Sequence, residues 1–164
     1  MKKLWIIRHA KAEAFHESNR DFNRHLRKTG REDAALVAER LKKIQPKFDA
    51  IIASASVRTA QTAEIFAEKF ELDPSKIILV DALYNAEHYA YQTVVEQLDN
   101  KYENIAVVGH NPGVTDWSNK QKLAYIDDMP TTGAFGIVYK TNDWQQCSEV
   151  DKEFLGFVSP HHDI

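Results

Sequence analysis

Short apolar runs and longer apolar–polar repeats take turns along this chain, and the two periods predict two kinds of element. Residues 4–7 (Leu-Trp-Ile-Ile) form a continuous apolar run, as expected of a strand buried on both faces. After Gly30, apolar residues fall at Ala34, Val37, Ala38, Leu41 and Ile44. That spacing predicts a helix with one apolar side, and Pro46 is its expected stop. Residues 50–53 predict a second strand. Ser54 and Ser56 are expected N-caps for a helix carrying Ala60, Ala63, Phe66, Ala67 and Phe70 on one side. Further strands are expected at 77–80, 105–108 and 135–139, the last after the turn-forming Thr131-Thr132-Gly133. A helix is expected over 89–98, and an edge strand over 154–158.

Strands alternating with helices of roughly ten to fifteen residues predict an α/β fold with a mostly parallel central sheet and helices on both faces. The order of the strands is not readable from this pattern. No Pro/Gly/Ser-rich linker, repeat or low-complexity tract divides the 164 residues, so residues 1–164 are expected to form a single domain.

Composition narrows the function. Hydrophobic residues make up 43% and charged residues 27%, enough to bury a core. Lys and Arg total 21 against 24 for Asp and Glu, a net charge of −3. Such a balance disfavours nucleic acid or an anionic membrane as partner, so an anionic substrate must be caught by local cations. The lone Cys147 cannot form an intrachain disulfide. The opening apolar run meets Arg8 and His9 too soon for a signal-peptide core or a membrane span. A cytoplasmic location is expected.

The chemistry collects at three predicted strand ends. The first strand runs into Arg8-His9, the second into Ser54-Ala55-Ser56-Val57-Arg58, and the strand at 105–108 into Gly109-His110-Asn111-Pro112-Gly113. In open α/β sheets ligands bind beyond the carboxyl ends of the strands, so two arginines and two histidines are expected at one sheet edge. Arginine offers a permanent planar fork for phosphate oxygens. A neutral imidazole can attack phosphorus and become a phosphohistidine. A second histidine, protonated beside a bound dianion, can donate to it. This scheme needs neither cofactor nor metal. Each motif alone is weak, since Arg-His after a strand is usually structural and Gly-His-Asn-Pro-Gly reads as a turn. Their joint occurrence is the signal.

The same residues resemble the histidine phosphatase superfamily, also called phosphoglycerate-mutase-like. Within it they most resemble the small phosphohistidine phosphatases of the SixA type. The resemblance covers nearly the whole chain. It rests on residues 8–13 (Arg-His-Ala-Lys-Ala-Glu), Asp21, Arg24, Leu26, Gly30 and Arg31, and on Ser54, Arg58, Thr59, Gln61, Thr62 and Ala63. Leu83-Tyr84, residues 109–113 and residues 129–133 complete it. It implies His9 as nucleophile, with Arg8, Arg58 and His110 completing the phosphate pocket. Asp21 and Arg24 are implied orienting residues or substrate contacts, and Asn111 is taken with them as substrate-binding. Ala10 replaces the glycine that usually follows Arg-His, and Arg27 alters the usual rim motif. The short segment between Gly113 and Thr131 leaves no room for a helical lid insertion.

Substrate class turns on a proton. Expelling an alkoxide needs a general acid far more than expelling imidazole, whose own pKa is about 6.5. The one candidate acid is Glu87, whose competing reading is a carboxylate favoured at a helix start. A weak acid and an open site favour a phosphohistidine borne on a protein. A small-molecule phosphomonoester is the alternative substrate, and a non-catalytic phosphate-binding module is the second alternative. His16 and His25 are expected on the rim or surface, and His88 on the surface. His161, His162 and Asp163 are expected to be a frayed tail rather than a metal clip, and Tyr84, Tyr89 and Tyr91 to be packing residues.

Overall fold

Every apolar run named above forms a strand in the computed structural model, which describes residues 1–161. In chain order the elements are β1 (Lys2–Arg8), α1 (Lys28–Lys42), β2 (Ala50–Ser54), α2 (Val57–Lys69) and β3 (Ile77–Val80). They continue with α3 (His88–Glu96), β4 (Asn104–Gly109), α4 (Gly113–Lys120), β5 (Ala134–Tyr139) and β6 (Lys152–Val158). The six strands make one sheet in the order β3-β2-β4-β1-β5-β6. Pairings β1–β4, β2–β4 and β2–β3 are parallel, while β5 runs antiparallel to both β1 and β6. Five strands therefore point one way and β5 the other.

Both faces of the sheet are covered, as continuous apolar strands require. On one face Trp5, Ile7, Ile51, Ala53, Ala106 and Val108 meet Val37, Ala38 and Leu41 of α1 and Ala63, Phe66 and Ala67 of α2. On the other, Leu4, Ile6, Ile52, Ile105 and Val107 meet Tyr91 and Val95 of α3 and Val114 and Trp117 of α4. Successive β1 residues alternate between the two cores because successive side chains in a strand point to opposite faces. Among the described residues no helix is long and apolar enough to cross a membrane.

Local expectations need correcting at several points. The first helix starts at Lys28, ahead of Gly30, and stops at Lys42, leaving Ile44 45% exposed beyond it. Ser56 occupies the N-cap of α2 without capping by its side chain; its hydroxyl pairs with that of Thr59 at 2.6 Å. Ser54 is the last residue of β2 and faces His110. Helix α4 lies where only a turn was expected. It packs its Val114 and Trp117 on the sheet rather than forming a lid. His161 is exposed, and His162 and Asp163 lie outside the described residues.

Candidate active site

The sheet order sets up the site. β1 and β4 are adjacent and parallel, with Arg8 in register with Gly109. The residues that follow them, His9 and His110, therefore emerge side by side, and their rings stand 5.5 Å apart. The His9 N–H donates to the Gly109 carbonyl at 3.0 Å, extending the ladder one step past the strand. Because β5 runs the opposite way, the loop leading into it reaches the same edge. Its Thr132 N–H donates to the carbonyls of Arg8 and His9, both at 3.1 Å, from a left-handed backbone conformation (φ 64°). On the other side the Ala10 N–H donates to Thr62 Oγ1, whose hydroxyl donates to the Arg58 carbonyl in α2. His9 is thus anchored by three separate elements.

Its chemistry follows from one hydrogen bond. His9 Nδ1 lies 2.8 Å from the Ala10 carbonyl oxygen. A carbonyl can only accept, so Nδ1 carries the proton and Nε2 of the neutral ring keeps its lone pair. Burial disfavours the imidazolium and is the largest influence on His9; the Ala10 carbonyl opposes it, while Arg58, Arg8 and Arg24 reinforce it. The pKa falls to about 4. The ring is therefore neutral and nucleophilic at physiological pH.

His110 shows the complementary tautomer. Its Nδ1 lies 3.3 Å from Arg58 Nη2, and a guanidinium can only donate. Nε2 then bears the proton and donates to Ser54 Oγ at 2.9 Å. Burial, then His9 and Arg58, hold His110 at about 3. Its backbone N–H donates to the buried Tyr91 hydroxyl at 3.0 Å, and Gly109 permits this close approach. A Cβ at Gly109 would come within 2.5 Å of Tyr91 Cε1.

Behind this cage sits Asp21. Its Oδ1 accepts from Arg24 Nε and Nη2, both at 2.9 Å, and its Oδ2 accepts from Arg58 Nη2 at 3.1 Å and from the Tyr84 hydroxyl at 2.5 Å. Arg58 Nη1 also donates to the Asp21 carbonyl at 2.8 Å. Burial alone would raise the Asp21 pKa, but the Tyr84 hydrogen bond and the charges of Arg58 and Arg24 outweigh it and leave it at about 2. Arg8 is fixed by its Nη1 bond to the Met129 carbonyl at 2.8 Å. The Nε groups of Arg8 and Arg58 are buried without a protein partner. Such donors suit an anion in the cavity beside them.

That cavity measures about 510 Å³ and is lined by Arg8, His9, Arg58 and His110 together with Lys11, Ala12, Arg24, Arg27, Asn85, Asn111 and Thr131. The structure thus brings together the four residues expected to hold phosphate, with Arg24 and Asn111 at the wall. Asn111 spends its amide N–H groups on Asp128 and the Met129 carbonyl, so it braces the loop before β5. Asp21 orients two arginines from outside the wall. Glu87 is not at the wall. It is the N-cap residue of α3 and lines a neighbouring depression with His88 and Asp116, because α3 starts there and turns it away. Asn85, at φ 52°, takes the wall position instead. Of the three tyrosines, Tyr91 is core, Tyr89 is 60% exposed, and Tyr84 belongs to the site, edge-on to the His110 ring. Lys11, Arg27, Asn85 and Thr131 were not assigned from sequence. Lys11 stands two residues after His9, Arg27 in the altered rim motif and Thr131 in the turn before β5, signals that could have found them; no local pattern marks Asn85.

Residues 4–104 match the family model described as histidine phosphatase superfamily (branch 1). The chain belongs to that superfamily. Membership supports a phosphatase, a hydrolase of phosphorylated compounds. A serine/threonine-protein phosphatase Pgam5, mitochondrial, of Drosophila willistoni is 35% identical over 76 residues, covering 46% of this chain and 25% of that protein. The chain therefore spans about a quarter of that relative's length. Among solved structures, the protein histidine phosphatase SixA complexed with tungstate superposes with a TM-score of 0.80 at 20% identity, covering 96% of this chain and 97% of that one. A protein of Agrobacterium tumefaciens assigned as a phosphohistidine phosphatase SixA gives 0.79 at 22% identity, covering 97% and 98%. These likenesses show that the histidine phosphatase chain described here has the SixA fold.

Proposed function

We propose that this protein is a metal-independent phosphatase that works through a phosphohistidine on His9 and acts on a phosphohistidine borne by a protein. The observation that carries the reading is the Nδ1–Ala10 hydrogen bond. It leaves His9 Nε2 unprotonated in a cavity walled by Arg8, Arg58 and His110. Nε2 attacks phosphorus; the P–N bond to the substrate breaks as the new P–N bond to His9 forms, and the leaving imidazole takes a proton from solvent. Water then attacks the phosphoryl group, releasing phosphate and restoring the His9 lone pair. The two guanidiniums neutralise charge that spreads over the transferring oxygens. His110, neutral and with its Nδ1 lone pair turned to Arg58 Nη2, holds that guanidinium toward the phosphoryl oxygens.

The lack of an acid at the cavity wall supports this substrate class. Among the described residues no carboxylate lines the cavity, and Glu87 lies apart from it. Such a wall suits a leaving group with a pKa near 6.5 better than an alkoxide. The relative solved with tungstate is a protein histidine phosphatase, which favours the same substrate for this chain.

The test is rapid-quench turnover of a radiolabelled phosphohistidine protein, beside a panel of sugar phosphates. An acid-labile, base-stable label on His9, lost in His9→Ala, is expected, with the phosphohistidine protein turned over faster. A turnover that never labels histidine refutes the mechanism, and faster turnover of a sugar phosphate refutes the substrate class.

A further inference from the structure

We propose that Lys11 and Arg27 form an anion subsite, apart from the phosphate cage, that takes a carboxylate flanking the phosphorylated residue of a protein substrate. The inference rests on the phosphoprotein reading above and adds to it which phosphoproteins the site prefers.

The two residues are neighbours by construction. The Arg27 N–H donates to the Lys11 carbonyl at 2.9 Å. Gly30, in the first turn of α1, presses so close to that carbonyl that a Cβ there would collide with it. The contact fixes where Lys11 and Arg27 leave the backbone, and both line the cavity that holds His9.

Their charges are uncompensated, unlike those of the other cavity cations. Arg58 and Arg24 share the Asp21 carboxylate, and Arg8 feels the opposite charge of Asp128. Among the described residues no carboxylate pairs with Lys11 or Arg27. Two like charges lining one cavity repel one another, and an anion between them relieves that repulsion. A single phosphoryl group fills only part of a cavity of about 510 Å³. The phosphate cage takes one anion, and Lys11 and Arg27 are left for another.

Exposure distinguishes the partner. Both side chains are solvent-exposed at the mouth of the cavity, where a single ion pair to a freely diffusing metabolite gains little. A protein surface presents its carboxylate at a fixed distance from its phosphohistidine, so less freedom is lost on pairing. It also reaches further. The excursion between Ala12 and Leu26, closed by a β-bridge between those residues, lies between the two cations in the chain and carries Phe15 at 67% exposure.

The experiment compares two synthetic phosphohistidine peptides, one flanked by glutamates and one by glutamines, and a sugar bisphosphate against its monophosphate. Each is turned over by the native protein, by Lys11→Glu/Arg27→Glu and by the milder Lys11→Gln/Arg27→Gln. The native protein is expected to favour the acidic peptide about tenfold through KM, with little difference in kcat, and to lose that preference at high salt. The glutamine pair erases the preference and the glutamate pair inverts it. An unchanged ratio in both variants, or no preference in the native protein, overturns the subsite. A preference confined to the bisphosphate overturns the protein partner. Failure of the native protein to turn over either peptide overturns the phosphohistidine reading itself, before any ratio is formed.

Discussion

Replacing Asp21 with asparagine tests whether the cage depends on its supporting carboxylate. The substitution keeps the shape but swaps one oxygen for an NH2 group. The native carboxylate serves Arg24 through Oδ1 and both Arg58 and Tyr84 through Oδ2. An amide can accept from one side only, so its NH2 must face a guanidinium. Removing one partner of a fully buried ion pair costs about 3–5 kcal/mol, whereas exposed pairs are worth about 0.2–1 kcal/mol. Here the Arg58 side chain is 5% exposed and that of Asp21 33%, so solvent screens part of the interaction. A loss of roughly 2 kcal/mol is the reasonable middle. It corresponds to a fall of about 4–8 °C in Tm for a chain of this size. If half or more of it falls on the placement of Arg58 in the transition state, kcat/KM drops by roughly 5- to 30-fold. Acid sensitivity supplies a second reading. Asp21 titrates at about 2 in the folded protein against an ordinary value of 3.8. Its stabilisation is therefore present above pH 3.8 and lost as pH falls toward 2. The asparagine variant lacks this component, so its stability changes less over that span. Thermal melts from pH 2 to 7 and steady-state kinetics check both. A variant within twofold of native kcat/KM and within 1 °C of native Tm would refute the reasoning.

Two more outcomes follow from the same geometry. His9 and His110 sit at about 4 and 3 when folded against 6.5 when unfolded, so the unfolded chain binds more protons between those values. Their effect leaves stability full above about pH 6.5 and erodes it as pH falls. For His9 alone the loss is on the order of 3 kcal/mol by pH 4, and urea midpoints that do not fall between pH 7.5 and 5 would contradict it. Gly109→Ala drives a methyl into the buried Tyr91 ring. It should cost about 1–3 kcal/mol and displace His110, read as a lower urea midpoint together with weaker vanadate binding; unchanged values would show that the ring yields freely.

The strands and the gathering of Arg8, His9, Arg58 and His110 were legible in the sequence for one reason. A strand buried on both faces must be an apolar run, and the residue that ends the run must emerge at a sheet edge. Arg8, His9, Arg58 and His110 each follow such a run or its first helical residue, so local pattern was enough to group them. Glu87 shows the limit of that reasoning. It stands two residues from Asn85, yet the left-handed backbone at Asn85 and the start of α3 send the two to different depressions. Helix α4 was hidden because Gly109-His110-Asn111-Pro112-Gly113 carries the residues of a turn, and eight residues are too few for a clear helical period.

By itself, then, the chain's pattern determined the six strands and the first three helices, which four side chains gather at one sheet edge, and which family they resemble. Tertiary structure decided the rest, because it depends on contacts between distant residues that no local period encodes. The order β3-β2-β4-β1-β5-β6 put β1 beside β4 and so set His9 next to His110. The reversed β5 brought Thr132 under the backbone of Arg8 and His9. Folding also carried Asp21 across 37 residues to Arg58 and 63 to Tyr84, turning a loop carboxylate into the brace of the site.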